Sequence, residues 1–218
     1  EFKLDPANGA LPVDYGDVCI NYDKAYFTEK GLAVPASLDD LLRPEYKDML
    51  VTENPATSSP GLAFLMATIA QYGSEGYLTF WQGLVANGLV VASDWETAYY
   101  TNFSGSSGKG AQPMVVSYGS SPAAEVIFAD PPREDAPTAS IVGDNACFRQ
   151  IEFVGILKGT QQRALAEVCR FFAGHSLPGG YAVADVRLPG QFAGQTAGCV
   201  CQQRPDPKKT GHARPRAD

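Results

Sequence analysis

Residues Asn54 to Phe64 (NPATSSPGLAF) constrain the fold more than any other stretch, because they read as a turn that feeds a helix. They follow the aliphatic run Met49–Val51, which reads as a strand, so the chain passes from strand to helix within a few residues. Ser58 or Ser59 is the expected N-cap, and Pro60 suits the first helical position, where an N–H would be unpaired in any case. Leu62, Leu65, Met66 and Ile69 recur at i, i+3, i+4 and i+7 and are expected as the stripe packed on a sheet. A helix start with bare amides, with hydroxyls from Thr57, Ser58 and Ser59 and with Gly61 beside them, suits an anion or a polar ligand group. An ordinary capped helix has the same local sequence.

The alternation continues along the chain. Val13–Tyr22 is expected as an extended segment with Val18 and Ile20 on one face, and Ser37–Leu42 as a short capped helix. The Pro60 helix is expected to end near Gly73, and Glu75–Ala86 to form a second amphipathic helix. Leu89–Ala92 and Pro113–Tyr118 read as strands, each followed by a helix, from about Asp94 to Asn102 and from Ser120. Residues 104–110 read as a flexible loop, 129–138 as a proline-rich surface loop, and Ile141–Val142 as the beginning of a strand. Phe148–Leu157 is expected as a strand or extended return and Thr160–Glu167 as a helix. Strands alternating with helices give the class α/β.

Several chemistries are excluded by what the body lacks. Both histidines, His175 and His212, lie in the basic stretch 168–218, so residues 1–167 hold none, which removes histidine triads and His-rich metal sites there. The glycine-rich stretch 105–110 has Gly110 where a P-loop needs Ser or Thr, and there is no G-x-S-x-G elbow, so a hydrolase is the least favoured reading. A net charge of −7 argues against nucleic acid, and no run of eighteen apolar residues exists.

Three further places can hold a ligand. Trp95 follows a strand at a helix start, where an α/β sheet presents contact residues, and its ring can stack on a heterocycle or attract a cation; a core tryptophan is the competing reading. Tyr99 and Tyr100 are adjacent, about 100° apart on a helix, so at most one is expected to reach a cleft. Ser117 and Tyr118 end a strand, and Ser120 and Ser121 start the next helix, a second meeting of hydroxyls and free amides. Asp14 and Tyr15 could pair with or stack on a ligand, or simply bond backbone at a hinge.

Four blocks agree in order and spacing with one family: Leu11–Val18 (LPVDYGDV), Asn54–Phe64, Ser93–Tyr100 (SDWETAYY) and Val115–Ala123 (VVSYGSSPA). Over about Leu11 to Leu165 the chain resembles the periplasmic thiamine-binding proteins of bacterial ABC importers. That resemblance implies the type II periplasmic binding protein fold, two α/β lobes with the ligand in the cleft between them. Residues 1–12 would then be a remnant of the N-terminal lobe, 13–145 the C-terminal lobe with the first crossover, and 146–167 the return crossover. It implies a small-molecule ligand such as thiamine, a related organic cation or a phosphorylated precursor. It also implies an ABC permease as membrane partner, no cofactor, no enzymatic activity, a monomer, and a place in the periplasm or anchored outside the membrane. The signal segment and most of one lobe would be missing. Trp95 falls in the block that carries a thiamine-contacting tryptophan, whereas Ala124 stands where these proteins have an aromatic residue, which puts thiamine itself in question. Cys19 and Cys147 fall on the two crossovers, neighbours in this fold, and are expected as a disulfide. The sister ferric-iron binders offer an alternative in which Tyr99 and Tyr100 would be phenolate ligands. Family members continue the last helix where residues 168–218 lose all periodicity, so these are read as out of frame after about Glu167, against a divergent tail as the alternative.

Overall fold

The computed structural model describes residues 6–7, 9–107, 109–143 and 145–167. The stretch read as out of frame, 168–218, lies outside the described residues. The described residues fall into two compact units: Gly16–Gln150, and residues 6–7 and 9–15 together with 151–167. Strands β1 (Ala10–Asp23) and β6 (Phe148–Gly155) pair with each other and each continues from one unit into the other.

The larger unit is built on a mixed sheet with the strand order β3-β2-β4-β1-β5. β2 (Leu50–Glu53) runs parallel to β3 (Val90–Ala92) on one side and to β4 (Met114–Tyr118) on the other. β1 is antiparallel to β4 and to β5 (Thr138–Ile141), with Ile20 opposite both Val116 and Ile141. Among the described residues the helices include α1 (Lys24–Lys30), α2 (Ser59–Ala86), α3 (Ser104–Ser107) and α4 (Ser121–Ile127). Short 3-10 turns lie at Asp39–Leu42 and Pro44–Tyr46, a π-helical turn covers Thr97–Asn102, and residues 163–167 are helical where the last helix is expected. Among the described residues no helix is long and apolar enough to cross a membrane.

Strand alternation sends neighbouring side chains to opposite faces. Leu50, Met114, Val116, Val18 and Ile20 form one core with Phe64, Phe80 and Leu84 of α2. Val51, Val115 and Ala92 face the other way, onto Ala98, Tyr99 and Phe103.

Pro60 and Gly61 enter α2 buried, but the expected stripe does not face the sheet. Leu62 and Met66 are 48% and 42% exposed, whereas Gly61, Ala63, Phe64, Ala67 and Thr68 are buried. The reason is distance. A Cβ on Gly61 would lie 2.5 Å from the Glu53 carbonyl oxygen, so only the small-residue side lets the helix approach β2 this closely. α2 is interrupted at Gly73, whose φ of 71° is open to glycine, which divides it as the sequence suggests.

Other expectations are corrected. α1 was not foreseen; the Asp23 carboxylate caps it by accepting from the amides of Ala25 and Tyr26, and Gly31 closes it in the left-handed region. The loop expected from Ser104 begins as the short helix α3, tied by the Ser104 hydroxyl donating to Asp23. The strand expected to begin at Ile141 ends there: its pairing with β1 starts at Thr138, opposite Asp23. Cys19 and Cys147 are disulfide-bonded, with S–S 2.12 Å and Cα atoms 4.3 Å apart. Nearby, Arg149 donates from Nε and Nη2 to the two oxygens of Asp17, both at 2.9 Å, which holds the Asp17 carboxyl below its ordinary value.

Candidate functional site

Because β2, β3 and β4 are parallel, their carboxyl ends lie along one edge of the sheet, and the loops leaving them carry most of the candidate residues. This is where open α/β sheets bind ligands. The loop after β2 is joined to the loop after β3 by Thr57, whose hydroxyl donates to the Ser93 carbonyl at 2.7 Å. Ser58 occupies the N-cap of α2 in extended geometry, but its side chain makes no capping hydrogen bond, and Ser59 is exposed. Gly61 has a steric task, the close approach to Glu53 described above.

The turn after β3 is fixed by Asp94. Its carboxylate accepts from the Thr97 amide at 2.8 Å, from the Thr97 hydroxyl at 3.0 Å and from Ser93, bonds that hold it below its ordinary pKa. Trp95, half-buried, follows at once. Its indole N–H donates to the Ser117 hydroxyl at 2.9 Å, and Ser117 is hydrogen-bonded to Ser121 at 3.0 Å. Ser117 is fully buried, so it supports the indole from its N–H edge, while Ser121 reaches the pocket lining. Tyr118 lies at a ring distance of 6.4 Å from Trp95, and Ser120 is exposed ahead of α4.

The π-helical turn decides the arrangement of the tyrosines. Phe103 N–H reaches Ala98 O, a bond spanning five residues, and this wider turn sets both Tyr99 and Tyr100 against Trp95. Tyr99 stacks on the indole at 5.0 Å with an interplanar angle of 18°, and Tyr100 meets it edge-on at 5.5 Å. Both tyrosines border a pocket of about 440 Å³ with Trp95 and Ser121, but in keeping with the expectation that at most one is presented, Tyr100 is 55% exposed and Tyr99 is 2% exposed. The same pocket is lined by Ala124, Glu125 and Phe128 of α4 and its end, and by residues 129–133. Asp14, half-buried in β1 with its carboxyl raised by burial, and Tyr15, 47% exposed, belong to the other unit.

Glu125 was missed. Its Oε1 accepts the Tyr99 hydroxyl at 2.9 Å. It stands four residues after Ser121, one helical turn on, so the helix start foreseen at Ser120 already placed the two on one face. Glu53 was missed too: it is fully buried at the end of β2, and neither carboxylate oxygen has a hydrogen-bond partner among the described residues. Burial pushes its pKa up to about 8, with the Asp94 charge adding to the rise.

The family model described as bacterial extracellular solute-binding protein matches residues 3–194. The chain belongs to that family. It is 30% identical over 190 residues to the thiamine-binding periplasmic protein of Salmonella typhimurium, covering 84% of this chain and 54% of that protein. It is 33% identical over 130 residues to the thiamine-binding periplasmic protein of Brucella suis, covering 57% and 37%. The chain thus spans about half the length of the curated relatives it matches. Among solved structures, a periplasmic thiamin binding protein superposes with a TM-score of 0.65 at 27% identity, over 86% of this chain and 57% of that one. The fructose-6-phosphate-bound AfuA of Actinobacillus pleuropneumoniae gives 0.65 at 17% identity, a likeness of fold alone.

Within this solute-binding family the ferric-iron alternative asks Tyr99 to act as a phenolate. Here Tyr99 is 2% exposed and its hydroxyl proton is engaged by Glu125. Burial first, and then the Glu125 charge, raise its pKa above the ordinary tyrosine value, which opposes the phenolate.

Proposed function

We propose that this chain is the ligand-holding part of the solute-binding component of an ABC importer and that it takes thiamine or a closely related organic cation. The single observation that carries the reading is the pocket in which the Trp95 and Tyr100 rings, backed by the buried Tyr99, stand beside the Glu125 carboxylate. Aromatic faces with an adjacent negative charge attract a flat, positively charged heterocycle, each cation–π contact adding roughly 0.5–2 kcal/mol. The names of the relatives support the ligand class, and the empty space above Ala124 leaves room for a ligand larger or differently substituted than an aromatic residue there would allow. In this reading the protein changes no bonds. It delivers its ligand to a membrane permease from the periplasmic side, and the hydroxyls of Thr57, Ser58, Ser59, Ser120 and Ser121 at the sheet edge offer polar contacts.

Tryptophan fluorescence tests this directly, since the chain has two tryptophans and the other, Trp81, is engaged by Thr68 on the α2 side. Thiamine is expected to quench emission saturably in the 218-residue chain, and Trp95→Phe to remove the quenching. Saturable quenching that survives in Trp95→Phe would move the site elsewhere. No heat and no quenching with thiamine would end the reading.

A further inference from the structure

Three charged side chains line the pocket: Glu125, Asp130 and Arg133. Asp130 and Arg133 are exposed on the loop that follows α4, where water screens them. Glu125 differs. It is half-buried on α4, and Tyr99 donates to its Oε1 at 2.9 Å while stacking on Trp95 at 5.0 Å. One hydrogen bond therefore sets the carboxylate in a fixed place relative to the ring wall, and the rings exclude some of the water that would weaken its field. With two carboxylates against one guanidinium, the lining is also net negative.

We propose that Glu125 sets the charge of the ligand this pocket accepts. It holds a cationic nitrogen against the Trp95 and Tyr100 rings and disfavours neutral heterocycles and phosphate esters of similar shape. This rests on the functional reading above and adds to it a residue and a rule of selectivity. An ionised carboxylate attracts a cation and repels a phosphate, and it has no such preference for a neutral ring, so the discriminating quantity is a ratio of affinities.

The test uses a neutral methylthiazole and its N-methylated thiazolium, which differ by one methyl group and one charge, together with thiamine and its phosphate ester. Each is titrated into the 218-residue chain and followed by Trp95 fluorescence. The wild type is expected to prefer thiazolium over thiazole by about tenfold or more. Glu125→Gln keeps an oxygen for the Tyr99 hydroxyl, so the fold is retained, as its thermal midpoint checks. It is expected to reduce that preference to about threefold or less while neutral thiazole stays within about twofold, and to bind the phosphate ester better than the wild type does. Tyr99→Phe, which removes the hydroxyl but keeps the charge, is expected to retain most of the preference. A preference undiminished in Glu125→Gln overturns the inference, and so does an equal loss of both ligands, which would mark a structural role. Those results leave the functional reading standing; a wild type that binds none of the four ligands removes both.

Discussion

The two faces of the sheet are built on different rules. On the α2 face, Phe64, Phe80, Leu84, Met114, Val116 and Ile20 pack as hydrocarbon around two small hydroxyls, Thr52 and Thr68. On the other face the cluster of Val51, Val115, Ala98, Tyr99 and Phe103 is smaller and is interleaved with buried polar groups: Ser117, and Glu53 on the same side of β2 as Val51. The pocket opens on this second face. A buried polar group without a partner costs free energy, and among the described residues that cost is confined on the first face to the single hydroxyl of Thr52, whereas on the second it falls on the whole carboxyl of Glu53. The second face gives up stability to hold an indole, two phenols and a carboxylate in fixed relation, a pattern expected where a fold carries a site.

The largest effect that sharpens this contrast belongs to the first face. Phe64→Ala, at a position 2% exposed, is expected to destabilise the protein by about 3–5 kcal/mol, because the cavity adds to the lost transfer energy. Urea melts measure it, and thiamine affinity in the folded fraction is expected to be unchanged. An equally large loss of affinity would show that the two faces are not energetically separate.

Glu53 tests the second face through pH. Its carboxyl has an ordinary value of 4.5 and is pushed up to about 8 in the folded protein. Between those values the unfolded chain has released a proton that the folded chain keeps. Stability therefore falls as pH rises through that window, by up to about 1.4 kcal/mol per pH unit, and levels off above it. Glu53→Gln is expected to remove this decline, so that wild type and variant diverge in urea melts between about pH 5 and pH 8. Parallel curves across the window would mean that Glu53 does not hold its proton in the buried state.

What could be read from the sequence was whatever depends on near neighbours. The passage from β2 into α2 follows from serines, a proline and a glycine next to an aliphatic run, and the placing of Trp95 after β3 follows from the same kind of signal. The α/β class follows from their repetition and agrees with the solute-binding family to which the chain belongs. The burial of α2 was misread because both of its sides are apolar, and the choice between them rests on how closely Gly61 lets the helix approach Glu53, a contact between elements. The pairing of Tyr100 with Trp95 depends on a π-helical turn that the residue types do not announce. The helix start at Ser120 already puts Glu125 on the face of Ser121, but its bond to Tyr99 appears only when α4 is set beside the turn that carries that residue, since the two are 26 positions apart.

The smallest expected effect is at Ser117, and it separates support of the ring from contact with the ligand. The buried Ser117 hydroxyl accepts the indole N–H of Trp95 and is itself bonded to Ser121. Ser117→Ala leaves that N–H without its partner, which is expected to lower stability by about 1–2 kcal/mol. Because the side chain is fully buried at the N–H edge of the ring, its loss should act on the ligand only through the indole. The expectation is a shift in Trp95 emission in the unliganded protein and a weakening of thiamine binding of about three- to tenfold, with the thiazolium-to-thiazole preference unchanged. Were Ser117 a direct contact, affinity would drop with the emission of the free protein unaltered. That outcome would place the ligand at the N–H edge of the indole and redraw the pocket on this face of the sheet.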